Sequence, residues 1–176
     1  MTLPNLITIG RLFLVPLVIV MILNGRWQGA FVVFVVAGIS DAVDGFLAKR
    51  CGMASELGAY LDPIADKALI VSIYITLAMV GAVPSWLVVL VVARDIMIVS
   101  AVILSWVMGR PLTISPFIVS KLNTGAQVIF AALLLGSRAF GVELGQAVEV
   151  GQLFVALLTV GSMIAYLAFW LRHMTA

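Results

Sequence analysis

Four aspartates stand out in a chain that carries few charges. Asp41 and Asp44 lie three residues apart, and Asp62 and Asp66 lie four apart. On helices, those spacings put each pair on one face. Carboxylates that face one another repel unless cations lie between them. Hard oxygen donors without His or Cys suit Mg²⁺, Mn²⁺ or Ca²⁺. Two divalent ions would balance four negative charges, which is the arrangement of a two-metal site for phosphoryl chemistry. Gly45 follows Asp41 by four residues and Gly58 precedes Asp62 by four. Each acidic face therefore has a position without a side chain, where a helix or a ligand can approach the backbone closely. Lys49 lies one turn beyond Gly45 and offers a cation to a phosphate, and Ser55 adds a hydroxyl.

The elements that position these residues follow from composition. Of 176 residues, 64% are hydrophobic and 10% charged, and the mean hydropathy is +1.24. A soluble domain carries roughly 25% charged residues, so a soluble globular fold and a disordered chain are both excluded. A span needs about 20 apolar residues, which leaves room for about six spans and no sizeable domain outside the membrane. Breaks at Asn24-Gly25-Arg26, Lys49-Arg50-Cys51-Gly52, Gly81-Ala82-Val83-Pro84, Gly109-Arg110-Pro111 and Gly136-Ser137-Arg138 are the expected turn signals. They predict helices over 5–23, 29–50, 57–81, 85–108, 117–136 and 147–171. The expected fold is all-α, one integral membrane domain over 1–176 built as a bundle of six transmembrane helices. The first apolar run holds Arg11 and Pro16 and lacks a clear small-residue cleavage site, so it reads as a retained helix. Lys49, Arg50, Arg110, Lys121 and Arg172 fall on one side with the N-terminus, and Arg26 and Arg138 on the other. That imbalance predicts both termini in the cytoplasm.

The smaller counts remove other chemistries. Net charge is +2 with scattered cations, so no basic patch supports nucleic-acid binding. A single cysteine, Cys51, excludes an internal disulfide. A single histidine, His173, lies near the end, so a catalytic base would have to be a carboxylate. An ionisable side chain at the bilayer centre costs about 2.5–3.5 kcal/mol even on the lenient insertion scale, so four carboxylates near the spans call for a function. Intramembrane carboxylates also serve ion transport, and an ion-coupled transporter is the rival from another class. Such transporters show repeats or broken helices around a midplane site, whereas this chain shows no repeat and its acids gather toward one interface.

Residues 41–66 read Asp-x2-Asp-Gly-x2-Ala-Lys-x8-Gly-x3-Asp-x3-Asp. This resembles the signature of the CDP-alcohol phosphotransferases, integral membrane enzymes that make phospholipids from CDP-diacylglycerol or CDP-alcohols. Pro4-Asn5-x2-Thr8-x2-Arg11 resembles the family's N-terminal segment. The resemblance implies that Asp41, Asp44, Asp62 and Asp66 bind two divalent ions, Mg²⁺ or Mn²⁺. It implies that Asp66 also acts as general base on the acceptor hydroxyl, and that Asp41, Gly45, Lys49 and Ser55 contact the CDP moiety. The family usually has Arg where this chain has Lys49, followed here by Arg50. A bidentate fork is thus replaced by a point charge, and either Lys49 or Arg50 holds the nucleotide phosphate.

Three further stretches resemble the cardiolipin synthases of that family: Ser40-Asp41-Ala42-Val43-Asp44-Gly45-Phe46, Ala93-Arg94-Asp95-Ile96-Met97 and Ser120-Lys121-Leu122-Asn123-Thr124-x2-Gln127. Phosphatidylglycerophosphate synthases often show Lys-x-Lys-Thr in the last stretch, where this chain has one cation fewer. Fewer cations suit phosphatidylglycerol, a single phosphodiester charge, better than glycerol 3-phosphate, a near-dianion. The expected reaction transfers a phosphatidyl group from CDP-diacylglycerol to phosphatidylglycerol, with glycerol 3-phosphate the alternative acceptor. Arg94, Arg110 and Lys121 are the candidate acceptor contacts, with Asn123 beside Lys121. Arg94 and Asp95, at i and i+1, do not share a helix face. Arg94 is therefore expected to face the active cavity and Asp95 to turn to an adjacent helix. The implied setting is a bacterial inner membrane, the site open toward the cytoplasm, the protein a homodimer among membrane lipids.

Overall fold

The computed structural model describes residues 3–51, 56–108 and 118–175. Among these residues the chain forms six helices: α1 (Leu3–Leu23), α2 (Trp27–Cys51), α3 (Glu56–Met79), α4 (Ser85–Val107), α5 (Ile118–Phe140) and α6 (Gln146–Thr175). The expected all-α architecture and element order hold. Three helices, Ser85–Val107, Ile118–Phe140 and Gln146–His173, are long and apolar enough to cross a membrane. Among the described residues the other three helices contribute the apolar stretches Ile9–Leu23, Trp27–Asp41 and Lys67–Met79.

The chain divides into two compact units. The first comprises residues 1–82 and 131–144. Here α1 packs against both α2 and α3. Each helix buries one stripe at helical spacing: Arg11, Val18 and Ile22 on α1, Ala30, Phe34 and Ala37 on α2, and Ile70, Ile73, Tyr74 and Leu77 on α3. The second unit comprises 83–130 and 145–176, with α4 against α6. Its inner stripes are unusually polar, with Arg94 and Ser105 on α4, Asn123 and Gln127 on α5, and Thr159 and Ser162 on α6 all buried. The outward faces carry Val89, Ile96, Ile129 and Leu157. Apolar side chains gain nothing by leaving lipid, whereas polar ones must find partners inside, so the pattern of a soluble bundle is inverted.

Helix ends are set locally. At Gly25 (φ +68°) and Gly81 (φ +71°) the chain turns into the left-handed region that only glycine enters cheaply. Arg26 N–H then donates to Met21 O at 2.9 Å, and Ala82 N–H to Leu77 O at 2.8 Å. α5 departs from expectation. Gly136-Ser137-Arg138 does not break it, and the helix runs on to Phe140 and stops at Gly141 (φ +66°). A Cβ at position 136 would come within 3.3 Å of the Phe31 ring, so the missing side chain there makes room for a neighbour rather than ending the helix.

Gly151 on α6 is tighter still, since a Cβ there would lie 2.6 Å from Cε2 of Phe130 on α5, a ring that is itself buried. Gly151→Ala is therefore expected to destabilise the protein by about 1–3 kcal/mol, the usual cost of overpacking. A lower thermal midpoint in detergent would show it, and an unchanged midpoint would refute the close approach.

Candidate active site

The acidic ends of α2 and α3 are built on the stripes just described. Asp41 follows Ala37 by four residues and Phe34 by seven, continuing the α2 stripe that packs on α1. Its carboxylate Oδ1 lies 2.7 Å from Nη1 of Arg11. The Arg11 side chain is fully buried, while that of Asp41 is 48% exposed. A guanidinium inside an apolar bundle is tolerable only beside a counter-charge. The same contact fixes the carboxylate from its protein side and leaves its other face open. Sequence reasoning placed Arg11 in a resembling segment but did not give it this partner. The signal available was a lone arginine in the first apolar run, which demands a carboxylate somewhere.

Register alone places positions 62 and 66 at helical spacing before Ile70 and Ile73 on α3. Asp44, Gly45 and Lys49 lie on α2, and Asp62 and Asp66 on α3; their side chains fall outside the described residues. Ser55 and Arg110 fall outside them altogether. Among the described residues no three His, Cys, Asp or Glu side chains gather in a way that could hold a metal ion. Of the predicted metal ligands only Asp41 is described. It suits that role: an oxygen donor, half exposed, with one oxygen oriented by a second group, the arrangement that aims a ligating carboxylate.

The candidate acceptor contacts lie in the second unit, and there two expectations fail. Arg94 and Asp95 are an ion pair, with Nη1 2.7 Å from Oδ1. The i, i+1 rule concerns where Cβ atoms point, and an arginine side chain is long enough to bend back across that angle. Arg94 is buried to 1% exposure. Its Nε donates to Ser162 Oγ at 3.2 Å, its Nη2 to Ser162 Oγ at 3.1 Å and also to Ser120 Oγ. The guanidinium also lies 6.0 Å from the centre of the Tyr166 ring. Arg94 therefore ties α4, α5 and α6 together.

The second failure is Asn123. It is fully buried, and its Oδ1 accepts from Thr159 Oγ1 at 2.9 Å. Lys121 is exposed. Two residues apart on a helix is about 200° of rotation, so these side chains leave α5 on opposite faces, and Asn123 does not stand beside Lys121.

Helices long and apolar enough to span a membrane, with polar inner stripes and an acidic helix end steadied by a buried arginine, define an integral membrane protein. A model of the CDP-alcohol phosphatidyltransferase family matches residues 1–171, and the chain belongs to that family. It is 34% identical over 184 residues to the chloroplastic CDP-diacylglycerol–glycerol-3-phosphate 3-phosphatidyltransferase 1 of Oryza sativa subsp. japonica, covering 94% of this chain and 56% of the relative. It is 34% identical over 155 residues to the CMP-forming cardiolipin synthase of Rattus norvegicus, covering 79% and 51%. It is 41% identical over 100 residues to the probable phosphatidylglycerophosphate synthase of Mycobacterium tuberculosis, covering 53% and 48%. The chain spans about half the length of these curated relatives.

Proposed function

We propose that this chain transfers a phosphatidyl group from CDP-diacylglycerol to the hydroxyl of an alcohol acceptor and releases CMP. The observation that carries this reading is Asp41, the first aspartate of the acidic motif, oriented by buried Arg11. Divalent ions, Mg²⁺ or Mn²⁺, held by Asp41, Asp44, Asp62 and Asp66 would supply charge neutralisation of the pyrophosphate. Arg11 keeps Asp41 aimed. Gly45 lets the nucleotide lie close to α2, with Lys49 or Arg50 on its phosphate and Ser55 nearby. Asp66 accepts the proton as the acceptor oxygen bonds to the phosphatidyl phosphorus. The bond from that phosphorus to the bridging oxygen breaks, and CMP departs with the electron pair.

Phosphatidylglycerol is the favoured acceptor, which makes the product cardiolipin. With Arg94 engaged by Asp95, Ser120 and Ser162, Lys121 is the exposed cation at the start of α5. One cation suits a singly charged phosphodiester. Arg110 would be a further contact. The names of the rice and mycobacterial relatives favour the second reading, glycerol 3-phosphate as acceptor. Family membership supports group transfer over the ion-coupled transporter. In this reading all six helices span the membrane, both termini and the acidic end face the cytoplasm of a bacterial cell, and the protein is a homodimer. Arg26 and Arg138 line one recess of the first unit, which supports their assignment to a common, opposite side.

The test is incubation of the purified protein with labelled CDP-diacylglycerol, Mg²⁺ or Mn²⁺, and both acceptors together. Mainly cardiolipin is expected. Mainly phosphatidylglycerophosphate would overturn the acceptor and keep the transfer, and no CMP with either acceptor would overturn the transfer itself.

A further inference from the structure

The first unit contains a recess of about 510 Å³ lined by Met21, Arg26, Trp27, Gln28, Gly29 and Arg138, among others. It lies at the α1–α2 turn, beside the last turn of α5. Two of its lining residues are arginines and none is a carboxylate. Both arginines are exposed, and among the described residues neither forms an ion pair with an acid. Arg138 is held instead over the Trp27 ring, 5.5 Å from its centre, a cation–π contact that fixes the guanidinium at the rim.

Two like charges sharing one cavity, with no carboxylate partner among the described residues, repel each other. The chain gathers here both of the cations that the loop count assigned to this side. An anion between them would turn that repulsion into two charge-assisted, bidentate contacts. A Cβ at Gly29 would meet Met21 Sδ at 2.9 Å, so the missing side chain there lets Met21 lie against α2.

Position in the bilayer selects the anion. The recess stands where the apolar stretches Ile9–Leu23 and Trp27–Asp41 end and begin. Trp27 opens α2, whose 25 residues span about 37 Å at 1.5 Å each, more than the roughly 30 Å of a hydrocarbon core. Tryptophan and arginine at such a level mark the headgroup region. An anion reaching this depth from within the bilayer is the phosphate of a phospholipid.

We infer that the recess between Arg26, Trp27 and Arg138 binds the phosphate of an anionic phospholipid in the leaflet opposite the acidic helix ends. The site rests on the membrane-spanning reading and not on the reaction. The probe chosen below carries no cytidine and undergoes no transfer, so failure here would leave the proposed reaction standing.

The experiment uses the full chain, delipidated in neutral detergent with EDTA throughout and analysed by native mass spectrometry with phosphatidic acid, phosphatidylcholine or inorganic phosphate. The unmutated protein should retain one phosphatidic acid more than the Arg26→Gln/Arg138→Gln variant, whose affinity for that lipid should fall by about ten-fold or more. Arg26→Lys/Arg138→Lys should keep most of the binding. Both arginines are exposed, so neither variant disturbs the core, and the Lys pair preserves the charge if the Gln pair purifies poorly. Equal retention by the unmutated and Gln proteins would overturn the inference. So would equal retention of phosphatidylcholine, or displacement of phosphatidic acid by equimolar inorganic phosphate, which would mark a site for free anions.

Discussion

Asp44→Asn should reduce CMP release by on the order of 1,000-fold or more while the protein still inserts and purifies as a folded species. The substitution keeps the size of the side chain and removes only its charge. The proposed two-ion site would lose one of four anionic ligands, and with it electrostatic stabilisation that contributes several kcal/mol to phosphoryl transfer. EDTA should silence the unmutated protein to the same degree, and added Mg²⁺ or Mn²⁺ should restore it. The readout is labelled CMP from CDP-diacylglycerol, paired with size-exclusion behaviour in detergent. Full activity in EDTA would end the metal assignment, and full activity of Asp44→Asn would remove that residue from the site.

Arg94→Met should have the opposite profile, a structural loss first and a catalytic one only as its result. Arg94 is buried and bound to Asp95, Ser120 and Ser162. Removing one member of a buried ion pair costs about 3–5 kcal/mol, because the remaining charge keeps its desolvation penalty and loses its partner. Substituting both, as Arg94→Met/Asp95→Leu, should recover much of that. Arg94→Lys should fall between, since one ammonium cannot reproduce a fork shared among three groups. Unfolding in a graded detergent series measures all three. If Arg94→Met keeps full stability and only the KM for the acceptor rises, the arginine serves the substrate and its hydrogen bonds contribute nothing to folding.

Much of this architecture is legible from residue order alone. Six apolar runs predict six helices, and their observed bounds differ from expectation by at most about four residues. The exception at α5 is instructive. Glycine marks a stop when it sits in the left-handed region, as at Gly141, and marks close packing when it sits within the helix, as at Gly136 beneath Phe31. Sequence cannot separate these two uses, because the difference is a neighbour more than a hundred positions away in the chain. The acidic motif was visible because its spacing is local. The pairing of Arg11 with Asp41 was not, because it joins residues thirty positions apart. Arg94 and Asp95 misled for another reason: helical geometry predicts where a side chain starts, and a long flexible one can end elsewhere. Asn123 follows simple periodicity, since it stands four before Gln127 and seven before Phe130 on the buried stripe. Grouping it with Lys121 put linear adjacency ahead of that period.

The glycine stops at Gly25, Gly81 and Gly141 are each closed by a backbone hydrogen bond from the residue just beyond the glycine to a carbonyl five positions back. Such closures have the lowest contact order a chain can offer, and they need no distant partner, lipid or ligand. Helix length at these ends is therefore decoupled from tertiary packing. A variant that loosens the bundle, Gly151→Ala for instance, would keep the same helical content in far-ultraviolet circular dichroism while its thermal midpoint falls. Conversely, replacing Gly141 with a β-branched residue would move a helix boundary and leave the core of the bundle chemically untouched.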